Sequence, residues 1–166
     1  FDVSVYNIFS SLAVFRGTCR LLADGSQLAT PTRGEHWTHL AAVPSILAVS
    51  RLPPSVEHVQ VGGEALTQPA VDSVPKHATL YNYYGPTEAA IWATRSIVSR
   101  GSPARLSLIG SPLPNVTCFV VDPQTRVLVP IGVYGELWLG GVQVARGYLN
   151  QPELTAERFI INPWAH

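Results

Sequence analysis

The sequence predicts an α/β protein: βαβ units layered around a parallel sheet over residues 1–95, then a β-rich portion over 96–166. Three observations predict it. Strand-like runs alternate with short helical patterns in the first portion, the signature of βαβ units. After Ala89 that alternation gives way to β-branched and aromatic runs separated by Pro and Gly. Finally, 46% of the 166 residues are hydrophobic and only 13% are charged, against about 25% charged in ordinary globular proteins. Such a chain buries much of itself and is not disordered.

The elements follow in order. Val5, Ile8, Leu12 and Phe15 recur at helical spacing behind Ser4, a suitable N-cap, which predicts a helix over 4–15. Thr18–Leu22 reads as a short strand closed by the turn residues Asp24 and Gly25, and residues 24–36 read as a surface connection. Pro44 and Ser45 open a short helix to about Val49. Val56–Val61 is a strand run ending at Gly62-Gly63, and a helical stretch follows near Pro69–Val74. Thr79–Tyr83 is another strand, broken by Gly85-Pro86-Thr87. After Ala89, Ile91–Val98, Val116–Val121 and Gly135–Leu139 are strand runs, and Asp122-Pro123 makes a turn. Gln151-Pro152-Glu153 starts a last helix, with Pro early and an acid in the first turn.

Composition narrows the functional classes. Eleven basic and eleven acidic residues cancel, so no electrostatic footprint for nucleic acid or an anionic membrane exists. The apolar runs fall far short of the roughly 18 residues a spanning helix needs, and no signal peptide is visible. The chain contains no Met and opens on Phe1, which suggests an internal fragment. Cys19 and Cys118 match no metal or redox spacing and read as buried, reduced thiols of a cytoplasmic protein. Lys76, the sole lysine, reads as a solvated surface residue.

Three segments carry possible chemistry. Phe1-Asp2-Val3-Ser4 sets an acid at the start of an apolar helix, which on pattern alone is equally an ordinary helix-terminal carboxylate. Tyr81-Asn82-Tyr83-Tyr84-Gly85-Pro86-Thr87-Glu88 gathers aromatics, an amide, a hydroxyl and a carboxylate at the C-terminal end of a strand, where open α/β sheets bind ligands. Flat rings and an amide suit a nucleobase, and a hydroxyl and carboxylate suit phosphate and Mg²⁺. The plainer reading is a Tyr-rich turn packed on the core. Gly135 through Gly141 with Val144–Tyr148 lacks the dinucleotide glycine spacing. By itself that segment reads as a bulged, tightly packed sheet.

Together these segments resemble the amino-acid adenylation domains of nonribosomal peptide synthetases, within the acyl-adenylate-forming superfamily. Phe1-Asp2-Val3-Ser4 is similar to the family's fourth core motif, Asn82 through Glu88 to its fifth, and Gly135 through Tyr148 to its sixth. The order and spacing match, and the likeness runs on through Gln151–Thr155 to Phe159. The connection from Leu22 to Pro44 is a few residues shorter than in the usual member. The resemblance implies a parallel-sheet subdomain followed by a distorted barrel. It further implies that the phosphate loop, the ribose-binding segment and the C-terminal catalytic lysine lie outside this stretch. The 166-residue chain alone is therefore expected to catalyse no amino-acid-dependent ATP–pyrophosphate exchange, and exchange above a no-enzyme control would contradict this.

The resemblance also implies roles. Glu88 holds Mg²⁺, and Thr87 donates to the α-phosphate of ATP. Tyr84 stacks on adenine and Asn82 bonds its amino edge, with Tyr83 and Gly85 beside them. Gly62 and Gly63 form a side-chain-free floor, with Glu64 close by. Asp2 faces the substrate's α-ammonium as a charge-assisted partner, and Val3, Tyr6, Ser45, Gln60, Gly62, Tyr83, Ile91 and Trp92 line the rest of the amino-acid pocket. Apart from Asp2 that set holds no carboxylate or amine, and its rings limit depth, which points to a small uncharged substrate such as glycine or alanine. A larger aromatic substrate stacked on the rings is the competing picture. Implied partners are condensation and carrier domains, the latter bearing phosphopantetheine downstream of this chain. Two alternatives stay open: an acyl- or aryl-acid ligase, which would need no acid at Asp2, and a non-catalytic remnant.

Overall fold

A computed structural model of the chain describes residues 2–14, 16–29, 34, 36–101, 106 and 108–164; the side chain of Asp2 lies outside the described residues. Strands β1 (His39–Ala42), β2 (His58–Gly62), β3 (Thr79–Tyr84), β4 (Thr94–Ile97) and β5 (Ser111–Pro112) form one sheet in that order. β1, β2 and β3 run parallel, with His39 opposite His58 and Gly62 opposite Tyr83. β4 and β5 add antiparallel. A second sheet pairs β6 (Val116–Val121) with β7 (Glu136–Gly141), and no closed barrel forms among the described residues.

Helices α2 (Pro44–Ala48) and α3 (Gln68–Asp72) connect the parallel strands and cover one face of the first sheet. Leu47, Val59, Val61, Ala70, Val71 and Leu80 are the centre of that core, and each large apolar side chain buried there contributes about 1.5–3 kcal/mol. Side chains alternate across a strand, so His58, Gln60, Tyr81 and Tyr83 belong to the opposite face. There the rings run in a row: His39 to His58 at 4.7 Å, His58 to Tyr81 at 6.0 Å, Tyr81 to Tyr83 at 6.4 Å and Tyr83 to Trp92 at 5.3 Å. This row leads from β1 to the candidate pocket.

Several expectations need correction. The first helix, α1, spans Asp2–Phe9, so Ser4 lies inside it rather than capping it. Ser10–Val14 continues as a wider π turn. Ser11 Oγ donates to Asn7 O at 2.7 Å, and a hydroxyl bonded back in this way competes with the helical ladder; Phe15 lies outside the described residues. Thr18–Leu22 forms no strand. Leu21 is 73% exposed, and a β-prone run without a pairing neighbour stays irregular. The sheet edge is instead β1, inside a stretch with no strand signal. The polar connection before it holds a 3₁₀ turn, Gly25–Leu28, capped by Asp24 Oδ1 accepting from Ser26 N–H at 2.7 Å. Residues 30–33 and 35 of that connection lie outside the described residues.

The run Ile91–Val98 is strand only over Thr94–Ile97, because Ala90 and Ile91 take φ of 49° and 76° and turn the chain back on itself. Segment 142–148 is a loop beyond β7 rather than a bulged strand. Both cysteines are free, as expected, but half-buried instead of buried. Lys76 is exposed, also as expected. No helix among the described residues is long and apolar enough to cross a membrane. α4 (Pro152–Arg158) closes the described fold where the sequence predicts a helix.

Candidate functional site

The site begins at the C-terminal ends of the parallel strands β2 and β3. Gly62 ends β2 directly opposite Tyr83. A Cβ on Gly62 would lie 2.5 Å from the Trp92 ring and 2.7 Å from Tyr83 O, so the space that glycine leaves is filled by the indole. Gly63 follows with φ of 83°, a left-handed conformation that glycine adopts without strain.

Trp92 reaches Gly62 because the loop after β3 doubles back. Trp92 N–H donates to Ala90 O at 3.0 Å and Ala93 N–H to Tyr84 O at 2.8 Å. Gly85 sits inside this bend, where a Cβ would meet the backbone of Ile91 and Trp92. A β-branched residue such as Ile91 at positive φ is strained by roughly 1–3 kcal/mol, and such strain persists where surrounding packing enforces it. The Trp92 indole N–H is buried without a hydrogen-bond partner among the described residues, an orphan donor of the kind that calls for a ligand or water.

Around this point the structure gathers several of the pocket residues. Tyr83 is buried, and its hydroxyl pKa is raised by that burial first and then by Tyr6, which approaches from α1. Gln60 lies on the same sheet face, two residues before Gly62. Val3 is half-buried on α1. Ser45 is placed differently. Its N–H and hydroxyl each donate to the Glu64 carboxylate at 3.0 Å, so Glu64 ties the loop after β2 to the start of α2, whose Val43 offers no side-chain cap.

The nucleotide candidates divide between two environments. Asn82 is buried and its Nδ2 donates to Leu108 O at 3.0 Å, which leaves Oδ1 as the atom that can accept from an amino group. Thr87 and Glu88 lie on a 3₁₀ turn, Thr87–Ala89, behind Pro86; Thr87 is exposed and Glu88 half-buried. Tyr84 and Glu88 together line a cleft of about 580 Å³ between the two sheets, whose far wall includes Phe119, Trp138, Phe159 and Trp164. Phe119 and Trp138 pack on Trp164 at 4.8 and 6.0 Å. Gly62, Asn82 and Thr87 do not line it.

Glu88 is gripped by a segment whose residues carry no individual role in the sequence reading. The Tyr148 hydroxyl donates to Glu88 Oε1, and Ala145 N–H donates to Glu88 O at 2.8 Å. The Tyr148 bond holds the Glu88 carboxyl below the usual carboxylate range, and the same bond raises the Tyr148 hydroxyl. Glu88 is therefore ionised at neutral pH. Among the described residues no group of three or more His, Cys, Asp or Glu could hold a metal ion by itself. A lone ionised carboxylate at a cleft suits Mg²⁺, which is commonly held by one or two carboxylates together with substrate phosphates and water.

Similarity to known proteins extends along the chain. The family model described as AMP-binding enzyme matches residues 1–149. The chain is 42% identical over 179 residues to phosphinothricin tripeptide synthetase PhsB of Streptomyces viridochromogenes, covering 99% of this chain and 15% of that protein. It is 38% identical over 182 residues to malpinin synthetase of Mortierella alpina, covering 99% of this chain and 2% of that protein. Among solved structures, a four-domain holo nonribosomal peptide synthetase bound to AMP and glycine matches with a TM-score of 0.70 and 31% identity, over 84% of this chain and 11% of that one. The chain thus spans a small part of each of these relatives.

Proposed function

The chain belongs to the AMP-binding enzyme family, and from that premise we propose that it forms part of a domain activating an amino acid as its aminoacyl-adenylate for nonribosomal peptide synthesis. The observation that carries this reading is that the Glu88 carboxylate, held by the Tyr148 hydroxyl, lines the same cleft of about 580 Å³ as Tyr84. In the proposed reaction a carboxylate oxygen of the amino acid attacks the α-phosphorus of ATP, the bond to the bridging oxygen breaks, and pyrophosphate leaves. The attacking carboxylate and the triphosphate are both anionic, so positioning and charge neutralisation supply most of the catalysis.

The residues divide that work. Tyr84 offers a ring face to adenine, and Asn82 Oδ1 accepts from its amino edge. Thr87 donates its hydroxyl to the α-phosphate. Glu88 holds Mg²⁺, which when bound neutralises charge on phosphate oxygens. Gly62 and Gly85 let backbone and rings approach closely, Gly63 turns the chain at positive φ, and Glu64 braces the wall at Ser45. Asp2 pairs with the substrate ammonium. The relatives are peptide synthetases, which supports carrier domains bearing phosphopantetheine, and condensation domains, as partners of the whole protein.

The Trp92 indole over Gly62 supports a small, uncharged substrate such as glycine or alanine, because it fills the depth that glycine leaves. The structural relative holds AMP and glycine, ligands of the same classes. An ATP–pyrophosphate exchange assay of the complete domain across the proteinogenic amino acids tests both readings. No stimulation by any amino acid would overturn amino-acid activation, and a preference for Phe, Tyr or Trp over Gly and Ala would overturn the small pocket. Trp92→Ala is expected to raise kcat/KM for Val or Leu by about tenfold or more, the scale on which pocket methylenes discriminate, and no gain would contradict the capping role.

A further inference from the structure

We infer that Tyr148 is a positioning residue for the metal-binding carboxylate: its hydroxyl occupies one oxygen of Glu88 and so presents the other. The inference rests on the reading of Glu88 as the Mg²⁺ ligand. Glu88 stands on a short turn in a loop, and a carboxylate there has rotational freedom that costs affinity when a metal must freeze it. The fold removes that freedom from outside the loop. Ala145 N–H holds the Glu88 carbonyl at 2.8 Å, while the Tyr148 hydroxyl holds Oε1 from across a sequence separation of 60 residues.

Tyr148 is itself fixed on several sides. Its N–H donates to Thr155 Oγ1 at 2.9 Å, and its ring meets Phe159 edge-on at 5.4 Å. Gly147, at φ 137°, leaves the room that the Thr155 side chain fills. The hydroxyl is therefore delivered to Glu88 from α4 through rigid contacts. A neutral donor suits this purpose. An Arg or Lys in its place would orient the carboxylate but cancel the charge a cation needs, whereas an O–H orients it and leaves the charge. With Oε1 engaged by the hydroxyl, Oε2 is the oxygen left without that bond and would be the one to hold a metal.

The test uses the full-length protein and Mn²⁺ as a spectroscopic stand-in for Mg²⁺. Free and bound Mn²⁺ are measured by electron paramagnetic resonance in the presence of a non-hydrolysable ATP analogue, for wild type, Tyr148→Phe and Glu88→Gln. Tyr148→Phe keeps the ring on Phe159 and is expected to weaken Mn²⁺ by about 10–100-fold, the usual effect of losing a group that orients a metal ligand. The amino-acid KM and the melting temperature should stay near wild type. Loss of Mn²⁺ affinity in Glu88→Gln but not in Tyr148→Phe would overturn the positioning role alone. Unchanged affinity in Glu88→Gln would instead remove the reading of Glu88 as metal ligand. Tighter Mn²⁺ binding by Tyr148→Phe would make the hydroxyl a competitor of the metal. A Tyr148→Phe protein that failed to fold would make it a structural tie. Either of those last results also overturns the inference.

Discussion

Glu88→Gln in the complete domain is expected to lower turnover by about 10²-fold or more, the range seen when one preorganised electrostatic contact to developing charge is removed, while amino-acid KM rises no more than a few-fold. The amide keeps the shape of the side chain and can still accept from the Tyr148 hydroxyl through its oxygen, so the turn behind Pro86 keeps its place. Only the negative charge is lost. In the proposed reaction that charge serves the phosphate side and not the amino acid, which would sit around Gly62 and Trp92. A loss concentrated in kcat therefore separates Glu88 from the pocket residues. Steady-state exchange at saturating ATP over a range of Mg²⁺ concentrations makes the measurement, and high Mg²⁺ should restore part of the lost rate. Unchanged turnover at low Mg²⁺ would show that Glu88 holds no metal.

The parts of the fold legible in the sequence were those whose residue types and pairing agree. β2, β3 and β6 carry Val, Tyr or Phe at repeated positions, β7 carries Leu137-Trp138-Leu139, and the four end at or just before Gly or Asp, so local propensity and final structure coincide. β1 was illegible because His39-Leu40-Ala41-Ala42 has no β-branched residue; it is a strand through its parallel register with β2. Thr18–Leu22 shows the opposite case, propensity without a partner. Within the site, the sharing of one cleft by Tyr84 and Glu88 could be read from their order along the chain, whereas the separate, buried place of Asn82 could not. The placement of Trp92 over Gly62 could not, since it depends on Ala90 and Ile91 entering a backbone region that such residues rarely adopt. Nor could the Tyr148–Glu88 bond, because no local pattern links residues 60 positions apart. The Gly147–Thr155 fit that sets Tyr148 in place was visible only as one glycine of a segment read as tightly packed sheet.

Asp2→Asn is expected to act on the other reactant, raising the amino-acid KM by about 10²–10⁴-fold with kcat and ATP KM little changed. The magnitude follows from leaving an ammonium without its counter-charge in a partly desolvated pocket, about 3–5 kcal/mol. Asp2 opens α1 one turn before Tyr6, and Tyr6 is close enough to Tyr83 to raise its pKa, so α1 meets the sheet near Gly62. An acid in a first helical turn has an ordinary use as well, since it complements the positive end of the helix. The substitution separates the two uses. Asn serves at a helix start nearly as well as Asp, so a purely structural acid would give a shift in melting temperature at most and an unchanged KM. A carboxylic acid lacking the α-ammonium supplies a second reading of the same contact. Wild type should discriminate strongly between glycine and acetate in adenylate formation, and Asp2→Asn should collapse most of that difference by weakening glycine alone. A KM change under a few-fold, or discrimination that survives the substitution, would take the ammonium contact away from Asp2.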